Sequence, residues 1–330
     1  MPPEPTNAVE ASVPSFFGLP RHDASDRVPK VDVLLSGLPS DLGALQRSGG
    51  RFAPRAVRDA SLATGSYSDA LGIGIWDEIQ AADGGDLPIA REDLNGALSS
   101  IAARAEAIAR SGVVGGFVGG DQTVTIGALR GIHRAKLKSV GLVHIDASTD
   151  TLGPAGKRGI HQHSAIRVAV EEGLVRSGAV LQVGIRGPHV SDREPEVAAA
   201  MGLETIKVDD VKWDLHGAVS QLRKMVRLGS LYVSVDVSVL DPAYAPAASS
   251  ARPGGLTTWE LQQLLRALVG AQIVGFDVVE IVPQYDPSGI TALAGASVLH
   301  ELLAVIADTH RSARPAPSSA GRRKGRRLSP

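Results

Sequence analysis

Short apolar runs alternate along the chain with longer stretches in which apolar residues recur at helical spacing. Between residues 94 and 110, Leu98, Ile101, Ala105 and Ile108 fall on one face of a helix. Runs of about four to eight apolar residues bounded by glycine or polar residues are instead typical of buried strands. Strands are predicted on this basis within residues 31–37, 113–118, 142–145, 180–185, 204–208, 231–238 and 273–283. Helices are predicted from Pro54 onward, over residues 94–110, up to Arg134, up to Glu172, and over residues 215–226, 257–268 and 289–308.

The order of these elements predicts the fold class. Strands and helices alternate, an order that gives a three-layer α/β/α architecture with a central, mostly parallel sheet. Residues 30–309 are assigned to one such domain, because no linker interrupts the alternation. Within this domain, the polar run Asp83-Gly84-Gly85-Asp86 predicts a turn.

The two ends of the chain lack this periodicity. Residues 1–29 are rich in proline, serine and charge, which predicts a flexible leader. Residues 310–330 predict a disordered tail, whose basic side chains could alternatively contact RNA or an acidic partner. The basic residues beyond the last predicted helix are Arg311, Arg314, Arg322, Arg323, Lys324, Arg326 and Arg327.

Composition narrows the classes of function. The 330 residues include 34 Lys and Arg against 35 Asp and Glu, so the formal charge of −1 predicts no strong attraction to nucleic acid or a membrane surface. The absence of cysteine excludes a disulfide framework and a cysteine-based zinc site or nucleophile. No apolar run reaches the roughly 18 residues of a membrane span, and no secretory signal is recognised, so a cytoplasmic protein is expected.

Aspartates follow two of the predicted strands. Asp146 and Asp150 follow residues 142–145, and Asp236 lies within the run 231–238. The carboxyl ends of neighbouring parallel strands share one edge of a sheet, so these three acids are expected to meet there. Each like-charged pair at about 4 Å costs roughly 4 kcal/mol at an effective dielectric near 20, which favours a bound cation. The alternative is that these aspartates cap helices or accept hydrogen bonds from loop amides.

Four further polar residues are predicted at the same edge of the sheet. Gln122 follows a Gly-Gly turn that lets a ligand approach, but the spacing of the glycines does not match a dinucleotide fingerprint. His161 and His163 lie in a loop before a helix, where either could carry a proton, although a loop histidine is commonly an ordinary polar residue. Glu280 lies near the carboxyl end of the last predicted strand.

Several motifs are similar, in their order along the chain, to those of the arginase and agmatinase family, the ureohydrolases, and most of all to the agmatinase branch. The resemblance covers about residues 31–308 and implies an arginase-like fold. Its motifs are Gly50-Arg51-Phe52-Ala53-Pro54-Arg55, Gly119-Gly120-Asp121, Asp146-Ala147-Ser148-Thr149-Asp150, the stretch from Ser234 to Pro242, Pro253-Gly254-Gly255-Leu256-Thr257, Asp277-Val278-Val279-Glu280-Ile281-Val282-Pro283 and Tyr285-Asp286-Pro287.

The resemblance also implies a metal site. Family members hold two manganese ions, which share a hydroxide that attacks a guanidinium carbon and releases urea. The implied ligand positions, normally His, Asp, His, Asp, Asp and Asp, are here Gln122, Asp146, Ser148, Asp150, Asp236 and Ser238. Gln122 and the three aspartates would form one all-oxygen site suited to Mn²⁺ or Mg²⁺. Ser148 and Ser238 occupy lost ligand positions, so at most one divalent cation is expected and the usual two-manganese cluster is not.

The resemblance implies roles for the remaining site residues. Asp150, His161, His163 and Glu280 are the expected catalytic residues, and Glu280 and the two histidines are also expected to bind the substrate. Which histidine matches the catalytic histidine of the family stays open. One hypothesis is a divergent hydrolase that acts on a small guanidino compound. The other is a catalytically inactive homologue that binds a ligand or assembles with an active paralogue; the family's habit implies a homo-oligomer, either a trimer or a hexamer.

Overall fold

The computed structural model describes residues 14–22, 27–135, 139–153, 159–189 and 191–313. The strands in these residues are β1 (Val33–Leu38), β2 (Tyr67–Ser68), β3 (Ile73–Gly74), β4 (Ala81–Asp86), β5 (Val114–Gly119), β6 (Val140–Ile145), β7 (Val175–Ile185), β8 (Glu204–Lys207), β9 (Ser230–Asp236) and β10 (Gln272–Val279). β2 and β3 form a small antiparallel pair. The other eight strands form one parallel sheet in the order β4-β1-β5-β10-β9-β6-β7-β8.

Helices cover both faces of this sheet. They are α1 (Ala53–Ser61), α2 (Ile75–Glu78), α3 (Leu94–Arg110), α4 (Thr123–Arg134), α5 (Ala165–Glu171), α6 (Glu194–Ala200), α7 (Val208–Trp213), α8 (Leu215–Val226), α9 (Thr258–Arg266) and α10 (Ile290–Ala313). Apolar residues of α1, α2 and α7–α10 pack into the core on one face of the sheet. Those of α3–α6 pack into the core on the other face. The predicted three-layer α/β/α fold with a parallel central sheet is therefore confirmed.

The central strands are apolar because each one contributes to both cores. In β6, for example, all six residues are buried. Val143 and Ile145 belong to one core and Val140 and Leu142 to the other, as expected when successive side chains point to opposite faces. Strands buried on both faces appear in the sequence as continuous apolar runs, which is why they were predictable.

The sheet order brings four adjacent strands to the candidate site. β5, β10, β9 and β6 are neighbours in the centre of the sheet. The segments at their carboxyl ends carry Gln122, Glu280, Asp236 and Asp146, respectively. In parallel sheets this edge is where ligands bind, so the fold alone gathers these residues.

Residues 14–22 do not form part of a flexible leader, and the prediction is wrong for this segment. Phe16 is fully buried, and its backbone amide donates to Asp83 Oδ2 at 3.0 Å. The guanidinium carbon of Arg58 lies 4.2 Å from the centroid of the Phe16 ring. The buried Phe16 ring and backbone hydrogen bonds to Asp83 hold the segment, and neither leaves a periodic signal in the sequence. Residues 1–13 and 23–26 lie outside the described residues.

The predicted turn at Asp83-Gly84-Gly85-Asp86 is instead part of the edge strand β4. Asp83 is fully buried and accepts two hydrogen bonds from Arg58, at 2.7 Å from Nε and 3.0 Å from Nη2. Glycine and aspartate are rare in strands, so the local pattern favoured a turn. The ion pair with Arg58 compensates the buried charge of Asp83 and so makes the strand possible, and Arg58 is distant in sequence.

The last helix extends past its predicted end at residue 308. α10 continues to Ala313, and Arg311, assigned to the tail, forms an ion pair with Asp308. Residues 314–330, which contain the rest of the predicted basic tail, lie outside the described residues. α10 is long and apolar enough to cross a membrane. However, 78% of its most apolar 18-residue stretch is buried within the fold, as in the core helix of a globular domain.

Candidate functional site

The carboxylates at the ends of β6 and β9 lie side by side. Asp146 and Asp236 are both buried, and the Ser238 hydroxyl, two residues beyond Asp236, donates to Asp146 Oδ1 at 2.8 Å. The Ser148 amide also donates to Asp146 Oδ1, at 3.0 Å, and the Ser238 amide donates to Asp236 Oδ1 at 2.6 Å. Asp150 is buried beside them with a left-handed φ of 50°. Such backbone strain in a non-glycine residue is found mainly at functional sites.

The side chain of Gln122 is oriented by a network below it. Its Nε2 donates to the hydroxyls of Thr125, at 3.0 Å, and Ser234, at 2.8 Å. Both hydroxyls in turn donate to the carboxylate of Asp277, at 2.8 Å and 2.6 Å, respectively. A carboxylate only accepts, so each hydroxyl uses its one hydrogen on Asp277. Towards Gln122 the hydroxyls can therefore only accept, and the Gln122 atom that faces them must be the amide nitrogen. This fixes which end of the amide is oxygen, and Oε1 is left buried with no hydrogen-bond partner among the described residues.

Asp277 and Ser234 belong to a row of polar residues that crosses the sheet below the aspartates. In register, Asp277 of β10 faces Ser234 of β9, Ser234 faces His144 of β6, and His144 faces Gln182 of β7. All four side chains are fully buried. We call these four residues the polar row. Buried polar groups are costly unless they are paired, so the row indicates that this layer supports the site above it.

His144 is the member of the polar row that lies beside Asp146 and Asp150. Its Nε2 is 3.2 Å from Asp146 Oδ2 and 3.9 Å from Asp150 Oδ2. Its Nδ1 is 3.0 Å from Nε2 of Gln182, which also donates to the carbonyl oxygen of Thr149 at 2.7 Å. By spacing alone, ligand atoms of His144, Asp146 and Asp150 could hold a metal ion, since they lie within 4.8 Å of one another.

The charges of the site favour a bound divalent cation. Burial and the negative charge of Asp146 raise the pKa of both Asp150 and Asp236. Burial also acts to raise the pKa of Asp146, but the neighbouring His144 ring and the Ser148 and Ser238 donors lower it overall. Gln122 Oε1 is a buried oxygen that accepts no hydrogen bond within the described part of the chain, and Asp146 Oδ2 lies 3.2 Å from Nε2 of His144. A hard cation coordinated by carboxylate oxygen would remove the repulsion between the acids.

The two serines at the expected ligand positions take part in internal hydrogen bonds instead. The Ser238 hydroxyl donates to Asp146, as described above, and the Ser148 hydroxyl accepts from the Asp150 amide at 3.3 Å. Both side chains are buried. A neutral hydroxyl is a weak ligand compared with carboxylate or imidazole.

The structure separates the two candidate histidines. His163 is buried, and its Nδ1 lies 3.1 Å from Asp150 Oδ1. Burial lowers the pKa of His163, but Asp150 raises it more, so that the net shift is upward. The Nε2 of His161 instead lies 3.3 Å from the carbonyl oxygen of Gly153. The His161 ring lines a cavity of about 380 Å³ together with residues 42–45 and Ile160.

Glu280 approaches the same site from β10. Its Oε1 accepts the backbone N–H of Gln122 at 2.7 Å, and its Oε2 accepts the hydroxyl of Ser249. Its φ of 69° is left-handed, as at Asp150. Burial and the nearby Asp121 raise the pKa of Glu280 to about 8. A buried carboxyl held in this way is suited to pairing with a cationic group, which would favour its ionised form.

Gln162, between the two histidines, is a site residue that sequence reasoning missed. The amide of Leu45 donates to its Oε1 at 2.8 Å, which leaves Nε2 facing Ser250 Oγ at 3.0 Å and Ser249 Oγ at 3.4 Å. The same Nε2 lies 3.5 Å from Nε2 of His163. Gln162 thus connects the residues around Glu280 to the histidine.

The polar row was also missed, although it left a signal in the sequence. Each member is a single polar residue inside an apolar strand, as in Leu142-Val143-His144-Ile145 and Val180-Leu181-Gln182-Val183. An isolated polar residue is costly to bury without a hydrogen-bond partner, so its presence in an apolar strand indicates that it has one. Only the strand order shows that these residues are paired with one another.

Comparisons with known proteins agree with the motifs. The model of the arginase family matches residues 31–305. The chain is 35% identical over 312 residues to the guanidinopropionase of Pseudomonas aeruginosa, covering 93% of this chain and 97% of that protein. It is 34% identical over 278 residues to the mitochondrial agmatinase of Gallus gallus, covering 84% and 81%. The structure of proclavaminate amidino hydrolase from Streptomyces clavuligerus matches with a TM-score of 0.83 and 32% identity, covering 91% of this chain and 99% of that one, which confirms the arginase-like fold.

Proposed function

Because this chain belongs to the arginase family, we propose that it hydrolyses a small guanidino compound with a single divalent cation in place of the manganese pair. Relatives of this chain are named for guanidino substrates, among them a guanidinopropionase, a guanidinobutyrase and an agmatinase. The family normally binds divalent metal ions, and the site contains a His/Asp/Asp group whose spacing would allow one. The number of ions and their ligands are the new elements of the proposal.

The observation that carries the proposal is a set of buried oxygen-bearing side chains at the carboxyl edge of the sheet. Gln122 Oε1 is buried and accepts no hydrogen bond from the described residues, and the carboxylate of Asp146 is buried as well. Asp150 and Asp236 lie close enough to Asp146 for its charge to raise the pKa of both. We assign Gln122, Asp146, Asp150 and Asp236 as the ligands of one hard cation. Ser148 and Ser238 add no further charged ligand, so no second cation is expected.

The other site residues would bind the substrate and move protons. Glu280 would accept the guanidinium group, since its buried carboxylate is the natural partner of a cation there. His163, held by Asp150, would take a proton from the attacking water and return it to the leaving amine. A bound divalent cation lowers the pKa of water and so supplies a nucleophile at neutral pH. Water then adds to the guanidinium carbon, the bond to the substrate nitrogen breaks, and urea and an amine are released.

Turnover of a guanidino compound by the purified protein tests this proposal. The protein, loaded with Mn²⁺ or Mg²⁺, is incubated with guanidinopropionate, guanidinobutyrate and agmatine, and urea and amine are quantified. We expect equal amounts of urea and amine from at least one compound, and no urea from the metal-free protein. Absence of urea and amine for all guanidino compounds, with metal added, would contradict the proposal.

A second candidate function is a non-catalytic subunit that binds a guanidino ligand or an active paralogue. It is favoured by the hydrogen bonds of Ser148 and Ser238, which replace ligands with internal contacts, and by the Ser249 hydroxyl on Glu280. One cation surrounded by three carboxylates also activates water less than two cations do. Calorimetric binding of a guanidino compound without urea release would identify this function.

We propose that the chain also assembles with copies of itself. Trp213 at the end of α7 and Trp259 in α9 are 88% and 59% exposed. Their sequence neighbours Lys212 and Glu260 form an ion pair at 2.8 Å, which links the end of α7 to the start of α9. Exposed tryptophans are costly in water and are enriched at protein interfaces.

The tryptophan pair makes the assembly testable. Replacement of both residues by serine is expected to convert the oligomer to a monomer, as measured by light scattering during size-exclusion chromatography. The control is Tyr67→Ser, which removes an exposed aromatic residue in β2 and is expected to leave the mass unchanged. A monomeric wild-type protein, or an unchanged oligomer of the double variant, would contradict this interface.

A further inference from the structure

His144 is placed like a metal ligand, but the position of its ring hydrogen decides whether it can bind a metal ion. Its Nε2 lies 3.2 Å from Asp146 Oδ2 and 3.9 Å from Asp150 Oδ2, on the side of the ring that faces the site. A nitrogen can bind a cation only through a free lone pair. The question is therefore which ring nitrogen of His144 carries hydrogen.

The contact of Gln182 with Thr149 determines which ring nitrogen of His144 carries the hydrogen. The Nε2 of Gln182 lies 2.7 Å from the carbonyl oxygen of Thr149, which can only accept, so this atom must be the amide nitrogen and not the oxygen. The same nitrogen is 3.0 Å from Nδ1 of His144. A hydrogen on Nδ1 would point at an N–H group, so Nδ1 must accept and the ring hydrogen must be on Nε2. The Nε2–H group then faces the aspartates and occupies the lone-pair direction.

We propose that Gln182 keeps His144 out of the coordination of the cation and thereby makes the site selective for hard metal ions. The inference rests on the proposed single cation at the aspartates and adds the residue that determines which metal it is. Without an imidazole ligand, the donors are the amide oxygen of Gln122 and carboxylates, which suit Mg²⁺ and Mn²⁺. With His144 added, the site would favour borderline metals such as Zn²⁺. Gln182 touches no cation itself and is thus a positioning residue.

The hydrogen position can be measured without any metal. Protein labelled with ¹⁵N-histidine is expected to show His144 with an unprotonated Nδ1 and a protonated Nε2, and the signals are assigned by their loss in His144→Asn. Addition of Mg²⁺ should leave Nε2 protonated. A protonated Nδ1 in the metal-free protein, or loss of the Nε2 hydrogen on binding of Mg²⁺, would overturn the proposal.

The selectivity can be measured by exchanging Gln182. In Gln182→Glu the new carboxylate would accept a hydrogen from Nδ1, free the Nε2 lone pair and create the carboxylate–histidine–metal arrangement of many zinc sites. The ratio of the Zn²⁺ to the Mn²⁺ association constant is expected to rise about 10- to 100-fold. His144→Leu in the same background should abolish this gain. Gln272→Glu, which adds the same charge at the opposite end of β10, should leave the ratio unchanged.

The outcomes separate this inference from the proposed function. Gln182→Met removes the amide without adding charge, so a rise in Zn²⁺ preference there tests the same idea if the glutamate variant fails to fold. An unchanged ratio in every folded Gln182 variant would overturn the role of Gln182 while leaving the single-cation site standing. A wild-type protein that binds no divalent cation would instead contradict the proposed function, and the ring ¹⁵N signals would still decide how Gln182 holds His144.

Discussion

Substitution of Gln122→His, Ser148→His and Ser238→Asp together is expected to raise the metal content from about one to about two Mn²⁺ ions per chain. The three changes add two imidazoles and one carboxylate, the donors that the resemblance implies at these positions. The loop backbones are already held in place, because the amides of Ser148 and Ser238 donate to Asp146 and Asp236. These two backbone bonds do not depend on the side chains that are replaced. Urea release should rise in parallel, since two cations acidify water more than one.

The control for this triple variant is Ser148→Ala with Ser238→Ala. It removes the same hydroxyls but adds no ligand, so its metal content should stay at that of the wild type. Both variants should be folded by circular dichroism, and metal is counted by mass spectrometry after removal of excess ions. A folded triple variant with unchanged metal content would refute the view that this chain retains the loop geometry of a two-metal site.

Glu280→Gln is expected to weaken guanidino binding by roughly 30-fold to more than 1,000-fold, which corresponds to the loss of about 2–5 kcal/mol for one partner of a buried charge pair. Glutamine keeps the volume of the side chain, its oxygen can still accept from the Gln122 amide, and its NH2 group can donate to the Ser249 hydroxyl oxygen. The lost property is the negative charge facing the guanidinium group. Binding is measured by isothermal titration calorimetry with metal-loaded protein.

A matched control for Glu280→Gln is Glu301→Gln in α10. Glu301 is also buried, but it pairs with Arg266 at 2.6 Å, on the face of the sheet covered by α9 and α10. This variant should lose stability yet bind the ligand as the wild type does. Equal affinity of the wild type and Glu280→Gln for the ligand would remove Glu280 from the binding site.

The layer architecture could be predicted because it depends on local patterns. β1 and β6 are buried on both faces and appear as continuous apolar runs, and α3 shows its apolar face at helical spacing. The capping box at the start of α9, with Thr257 and Glu260 bonded reciprocally, also follows from the sequence. The order of strands in the sheet does not follow, because pairing depends on contacts between residues far apart in the chain.

The acids of the site could be predicted because each one follows an apolar strand. Asp146 and Asp236 lie at the ends of neighbouring strands, as expected, and Asp150 is buried beside them. The histidines could not be told apart, since His161 and His163 are two residues apart in one loop. Their difference is the contact of His163 with Asp150, which depends on the fold of residues 159–164 over the sheet edge.

The errors have one physical cause. The β4 segment, Phe16 and the polar row all depend on a partner that lies far away in sequence: Arg58 for Asp83, the core for Phe16, and the neighbouring strand for Gln182. A local sequence pattern gives the free-energy cost of burying each polar residue as if that residue had no partner. A partner that is distant in sequence offsets that cost, and such pairing is most common where a protein places its functional groups.

The metal content per chain tests the central claim most directly. Protein loaded with Mn²⁺ or Mg²⁺ and freed of excess ions is measured by mass spectrometry, beside Asp150→Ala prepared in the same way. A single oxygen-ligand site predicts about one ion per wild-type chain and loss of that ion in Asp150→Ala. About two ions per wild-type chain, or none, would contradict the single-cation site.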